Sequence, residues 1–335
     1  MKQHKIEKQT DLLNDSGYLI EPGYAFKPFI NYNPEQIKAC IWRIKEWDYF
    51  LIGNKDFALS MTLANNRYMG ICSIQLFDFK SQKKHDYTKF IFMPKFLMPK
   101  QAFEDSVSFD SKEIELSFSY EEDRVHIKGR TKSLNQEDNI EVNVTLDIQN
   151  KDHCHMVIPF DRKPKAFYFN QKYNNLSAIG SFKKGELTTS LNNIFGVLDW
   201  GRGVWPWKVQ WYWSSMSGKL DNGKSIGFNL GYGFGNTKNT TENMIFYEGK
   251  GYKLDNVIFD IPKKYTDTWK IKDDKEELDL IFEPIFDNYT NLNYILLGQN
   301  AHQVFGTFSG KIKIDDGFIH IDNLFGFAER VNNRW

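Results

Sequence analysis

The chain has 335 residues, 43 lysines plus arginines against 43 aspartates plus glutamates, and nine tryptophans. A formal charge of zero, with Lys83-Lys84, Lys183-Lys184 and Lys263-Lys264 as isolated pairs, argues against a nucleic-acid binder, which needs a basic surplus or a dense basic face. No apolar run exceeds four residues, far short of the roughly 20 that a membrane-spanning helix needs.

Met1 to Asp11 is too polar for a secretory leader. Cys40, Cys72 and Cys154 are odd in number, widely spaced and free of any Cys-x-x-Cys, which argues against a disulfide framework. The expectation is a soluble, cytoplasmic protein that does not span a membrane.

In chain order, a short helix is expected after Pro34, where Ile37, Cys40, Ile41 and Ile44 have helical spacing. Strand-like alternation follows. Phe57, Leu59, Met61 and Leu63 alternate with smaller or more polar neighbours, as do Ile114, Leu116, Phe118 and Tyr120. So do Val142, Val144, Leu146 and Ile148, and later Ile226, Phe228, Leu230 and Tyr232. Turn signals punctuate them at Gly53–Asp56, Glu121–Asp123, Asp221–Gly223, Glu248–Gly251 and Asp315–Gly317.

No long helical segments separate these strands, so a parallel α/β sheet is disfavoured and the chain reads as antiparallel all-β, in sandwiches or barrels, with few short helices. Its length favours two domains. Pro159, Pro164 and the polar stretch Gln171–Asn175 mark a joint, giving units of 1–165 and 166–335, each the size of an up-and-down barrel of about eight strands. The aromatic strands Trp47–Phe50 and Trp211–Trp213 hint at an internal duplication.

Five tryptophans fall between Trp200 and Trp213. In an extended chain Trp205, Trp207, Trp211 and Trp213 share one face, while Lys208, Gln210 and Tyr212 take the other. Pro206 cannot donate to a ladder, so the regular strand should begin near Trp207. The indole face is either core packing or a ligand wall.

Arg202, set between Gly201 and Gly203, either binds an anionic or carbonyl oxygen or pins the loop by pairing with Asp199, Glu242 or Glu329. The carboxyls of Asp199, Glu242, Glu283 and Glu329 are candidate acids if held in an apolar pocket, and otherwise ion pairs and caps. Asp287 is a weaker candidate of the same kind. Gly231–Gly235 lacks the spacing of a nucleotide loop and runs into a polar stretch. His153 and His155 flank Cys154 and would face the other way on a strand, so no metal is expected. His302 and His320 read as hydrogen-bonded structural residues. No Gly-x-Ser-x-Gly is present.

Several blocks together resemble the domain-of-unknown-function 2804 family. They are Asp199–Trp207, Trp211–Gly218, Gly227–Gly235, Thr241–Asn243, Phe282–Pro284, Gln303–Gly306, Gly326–Glu329 and Arg334–Trp335, with Leu12–Gly17 and Lys45–Phe50 near the start. The family is distantly similar to the tandem lipocalin-like (calycin) proteins that include carotenoid hydratases and tocopherol cyclase. The resemblance implies two antiparallel lipocalin-like barrels packed together, with a pocket in one or between them.

The expected job is to hold a small, largely apolar, lipid- or isoprenoid-like molecule carrying one polar or anionic group. Trp205, Trp207, Trp211 and Trp213 would contact it, and Arg202, Gln210, Asn229 and Glu329 would meet its polar end. In an enzyme, Asp199 or Glu242 would protonate while Arg202 stabilises charge, giving a cofactor-independent lyase, hydratase or isomerase/cyclase. The alternatives are a non-catalytic carrier, or a glycan-binding module with tryptophans as stacking platforms.

Overall fold

The computed structural model describes residues 2–121, 123–132, 139–148, 153–294 and 297–334. Met1, Glu122 of the expected 121–123 turn and the family-like Trp335 lie outside them. Nearly everything in it is β-structure, in two large sheets whose strand pairings are all antiparallel.

The first sheet has thirteen strands, ten of them in one unbroken path. That path runs Lys83–Phe92, Met69–Asp78, Phe57–Asn65, Ile44–Gly53, Phe195–Val204, Phe167–Lys184, Ile140–Asp147, Arg124–Thr131, Ile114–Glu121 and Val107–Asp110. The second has nine: Lys250–Lys253, Met244–Tyr247, Ser225–Tyr232, Lys208–Lys219, Gly317–Arg334, Gly298–Ile314, Leu278–Asn293, Trp269–Asp273 and Val257–Asp260. Both curl into half-barrels. In the first, Met69–Asp78 touches Ile114–Glu121 across the inside although six strands lie between them in the path.

The chain crosses between sheets at Trp205-Pro206-Trp207, where Pro206 cannot extend a ladder. Phe167–Lys184 and Phe195–Val204 hydrogen-bond into the first sheet. The first sheet therefore continues beyond residue 165. The segment after Pro34 forms two single 3-10 turns, Pro34–Gln36 and Ile41–Arg43, rather than an α-helix. Neither turn buries a residue, so nothing rewards extending them. Among the described residues no helix is long and apolar enough to cross a membrane, and all three cysteines are free.

Burial shows which strand faces meet. Along Ile114–Glu121 and Ile140–Asp147, apolar residues go in and polar ones out, because only one face is covered. Phe57–Asn65 and Ser225–Tyr232 are buried on almost every residue. Each carries one face toward its own sheet's core and the other toward the opposite sheet. Phe50, Phe118, Leu198 and Trp200 belong to the first core, and Trp269, Phe282, Phe308 and Phe228 to the second. Between the sheets lies a third cluster, with Leu51, Ala58, Phe77, Val197, Trp213, Phe305 and Phe327. The N-terminal tail ties the halves further: Gln3 donates to Leu254 O at 2.8 Å and accepts from Thr241 N at 2.9 Å.

Candidate functional site between the sheets

A buried polar cluster sits beside the apolar packing of this seam. On the first sheet, Tyr168, Asn170 and Lys172 alternate onto the seam face of Phe167–Lys184, and Lys172 stands opposite Asp199 in register. Lys172 Nζ lies 3.0 Å from Asp199 Oδ1, and the Asn170 amide donates to the same oxygen at 2.5 Å. Lys172 Nζ also sits 3.6 Å from the centre of the Trp213 ring, an attractive placement for a cation.

The second sheet supplies the remainder. Trp213 faces Glu329 in register, and Trp211 Nε1 donates to Glu329 Oε1 at 2.8 Å. Gln303 reaches the other Glu329 oxygen at 3.4 Å and Tyr49 Oη at 3.1 Å. Burial pushes the Glu329 carboxyl up to about 7, although the Trp211 hydrogen bond and Lys172 work against the shift.

Trp213 Nε1 donates to Asn229 Oδ1 at 2.6 Å, and the Asn229 amide donates to Glu242 O at 2.8 Å. The Glu242 side chain is fully enclosed, and neither of its carboxyl oxygens has a hydrogen-bond partner. Gly231 makes room for it, since a Cβ there would stand 2.6 Å from Glu242 Oε1. Burial raises the Glu242 pKa, with Lys172 opposing and Asp199 reinforcing the shift, and the Asn229 amide, too poorly placed to hydrogen-bond the carboxyl, opposing it weakly. An ionised carboxylate is costly in such a place, so burial favours the protonated form of Glu242.

Aromatic rings wall the cluster. Phe234 is stacked between Tyr168, at 4.6 Å and 8°, and Trp211, at 5.0 Å and 22°. Trp205 meets Trp211 and Phe234 edge-on. Phe234 is flanked by Gly233 and Gly235, both at positive φ, a conformation that favours glycine. The loop from Gly233 ends at Glu242, so one short segment carries both the ring plug and the unpartnered acid.

The fold thus gathers Asp199, Glu242, Glu329, Asn229, Trp211 and Trp213, with Trp205 beside them. Arg202 lies elsewhere. It is three residues from Asp199 on the same strand and points the other way, into the first core. There it pairs with Asp48 at 2.9 Å, donates to the carbonyls of Pro99, Trp47 and Gly201, and stacks 3.8 Å from Trp200. Four N–H hydrogen bonds and the ion pair hold the guanidinium in place. Trp207 is 40% exposed, and Gln210 hydrogen-bonds Tyr212 on the face of the second sheet away from the seam. Glu283 is exposed and accepts from Thr268; Asp287 pairs with His302 at 2.9 Å. His153 and His155 share a face, their rings 5.2 Å apart.

Lys172, Asn170, Tyr168 and Phe234 escaped the sequence reading. The alternation Tyr168, Asn170, Lys172 against Phe167, Phe169, Gln171 was visible. Each face, however, mixes aromatic with polar residues, so neither reads as the buried one.

The family model described as Domain of unknown function (DUF2804) matches residues 3–335. The chain belongs to this family. No curated protein matches this DUF2804 chain in sequence. Among solved structures, it is similar to kievitone hydratase from Nectria haematococca, over 87% of this chain and 88% of that one, with a TM-score of 0.53 and 13% identity. It is also similar to an AttH-like protein from Nitrosomonas europaea, over 94% and 99% of the two chains, with a TM-score of 0.52 and 13% identity. At such identities the likeness shows a shared fold alone, two curled antiparallel half-barrel sheets.

Proposed function

We propose that this protein binds a small, largely apolar, unsaturated molecule at the seam and acts on it as a cofactor-independent hydratase, lyase or isomerase. The supporting observation is Glu242, a fully buried carboxyl with no partner on either oxygen. Structural acids are normally paired or hydrogen-bonded. In this reading Glu242 gives its proton to an alkene carbon; the double bond's electron pair forms the new C–H bond, and the neighbouring carbon becomes cationic. The faces of Trp211 and Trp213 favour that charge. Water then adds to the cation, or an adjacent proton leaves, and the proton released passes to Glu329, whose value near 7 suits exchange at neutral pH. Asp199, taken up by Lys172 and Asn170, positions rather than protonates. A structural neighbour named as a hydratase fits a reaction led by protonation.

Phe234 fills the slot between Tyr168 and Trp211, and the guest takes its place when the glycine-flanked loop swings out. A cytoplasmic setting is part of this reading, supported by three cysteines that form no disulfide with one another. A second reading is a purely structural seam, favoured by the close ring packing of Trp205, Trp211 and Trp213. The two separate experimentally. Native mass spectrometry of gently purified protein, with extraction of what co-purifies, should recover an unsaturated apolar guest. Phe234→Ala should bind the apolar dye N-phenyl-1-naphthylamine more tightly than the native chain, and Trp213→Ala less tightly. Glu242→Gln should retain the guest but slow its conversion by a factor of about 100 or more. No guest, together with no dye binding by either folded protein, would leave the seam structural.

A further inference from the structure

The second sheet carries an unusual arrangement on the face turned away from the seam. Gln210, Asn332, Asn300 and Asn291 stand opposite one another in register on four adjacent strands. They form a row of carboxamides about 5 Å apart. Asparagine is among the residues depleted in strands, so three asparagines in one rung run against local preference, and such violations collect at functional sites.

The next rung is Tyr212, Arg330, His302 and Tyr289. His302 is sandwiched there between Tyr265, at 3.6 Å and 3°, and Tyr289, at 4.4 Å and 24°, and Asp287 holds its Nδ1 at 2.9 Å. Gln210 donates to Tyr212 Oη at 2.7 Å and Asn300 to Tyr289 Oη at 3.2 Å. These bonds fix two of the amides from below. Among the described residues, Asn291 and Asn332 make no side-chain hydrogen bond. The rung on the other side brings Lys208 opposite Arg334.

The amide row Gln210, Asn332, Asn300 and Asn291 lines an open groove of about 560 Å³, together with Lys208 and Arg334 and with no carboxylate in its wall. Its volume is in the range of small-molecule sites. A row of amides, each both donor and acceptor, matches a line of hydroxyls better than an apolar guest. Lys208 and Arg334, opposite one another in register, suit a carboxylate. We propose that this groove is a second binding site, for an acidic saccharide: Gln210, Asn332, Asn300 and Asn291 take ring hydroxyls while Lys208 and Arg334 take the acid group. The site is independent of the seam, since it uses the opposite face of the sheet.

The test is calorimetric titration of the full chain with trigalacturonate, with the neutral maltotriose and the hydroxyl-free tricarballylate as controls. Trigalacturonate should bind and each control should be weaker by about tenfold or more. The double variant Asn300→Thr/Asn332→Thr puts strand-favouring residues in the rung. It should melt no lower than the native chain yet lose about tenfold in affinity or more. Lys208→Gln should weaken trigalacturonate and flatten its salt dependence. Glu242→Gln, across the sheet, should leave the affinity unchanged. No binding of trigalacturonate at about 10 mM, equal binding of maltotriose, or full affinity in the folded double variant would overturn the proposal.

Discussion

Buried ionisable side chains cluster at the seam and in the first core, and each can be tested one residue at a time. Glu329 holds its proton more tightly folded than unfolded, at about 7 against an ordinary 4.5. Its raised value is a stabilisation fully present below pH 4.5 and lost as pH rises through about 7. The loss is on the order of 3 kcal/mol at most. Glu329→Gln mimics the protonated form, so its melting temperature should match the native protein's near pH 4.5 and exceed it at pH 8. A difference that does not change with pH would refute this account. Arg202 behaves differently. Its guanidinium makes four hydrogen bonds and an ion pair, and Lys cannot reproduce the fork. Arg202→Lys should leave Asp48 short of a partner and lower stability by about 3 kcal/mol or more, read in a urea melt. A variant that melts like the native chain would detach Arg202 from the core.

At the scale of strands, two glycines decide where bulky rings fit. Gly201 faces Trp47 so closely that a Cβ would overlap the indole. Gly201→Ala should therefore displace Trp47 from Trp205 and Tyr168 and cost about 1–3 kcal/mol, seen as a lower denaturation midpoint with an unchanged slope. Gly231 plays the same part for the Glu242 carboxyl. Neither glycine betrays its role in sequence, because what it avoids comes from another strand. The alternation of Ile114–Glu121 and Ile140–Asp147 was legible, since one covered face leaves a period of two. In Ser225–Tyr232 the alternation of Ile226, Phe228 and Leu230 showed the core face. The burial of Gly227, Asn229 and Gly231 did not show, because a second sheet covers them.

For the whole molecule, the seam joins apolar clusters with internal charges, so each half alone would expose both. Segments 1–206 and 207–335 made together should associate and co-elute, and the second made alone should fail to give a monomer that melts cooperatively. A stable lone half would mean the seam contributes little. The sheet boundary at Trp205–Trp207 follows the same logic: Phe195–Val204 has its hydrogen-bonding partners in Ile44–Gly53, some 150 residues away, a pairing that local pattern cannot announce.

The amino-acid order alone determined the all-β class, the strand faces open to water, the family and the unusual weight of the tryptophan block. Those rest on local periodicity and composition. Only the tertiary structure decided that Lys172 neutralises Asp199, that Glu242 goes unpartnered, that Arg202 serves the first core and that four amides align across four strands. Each depends on which residues from distant segments meet, and a strand's sequence specifies its own two faces but not what covers them.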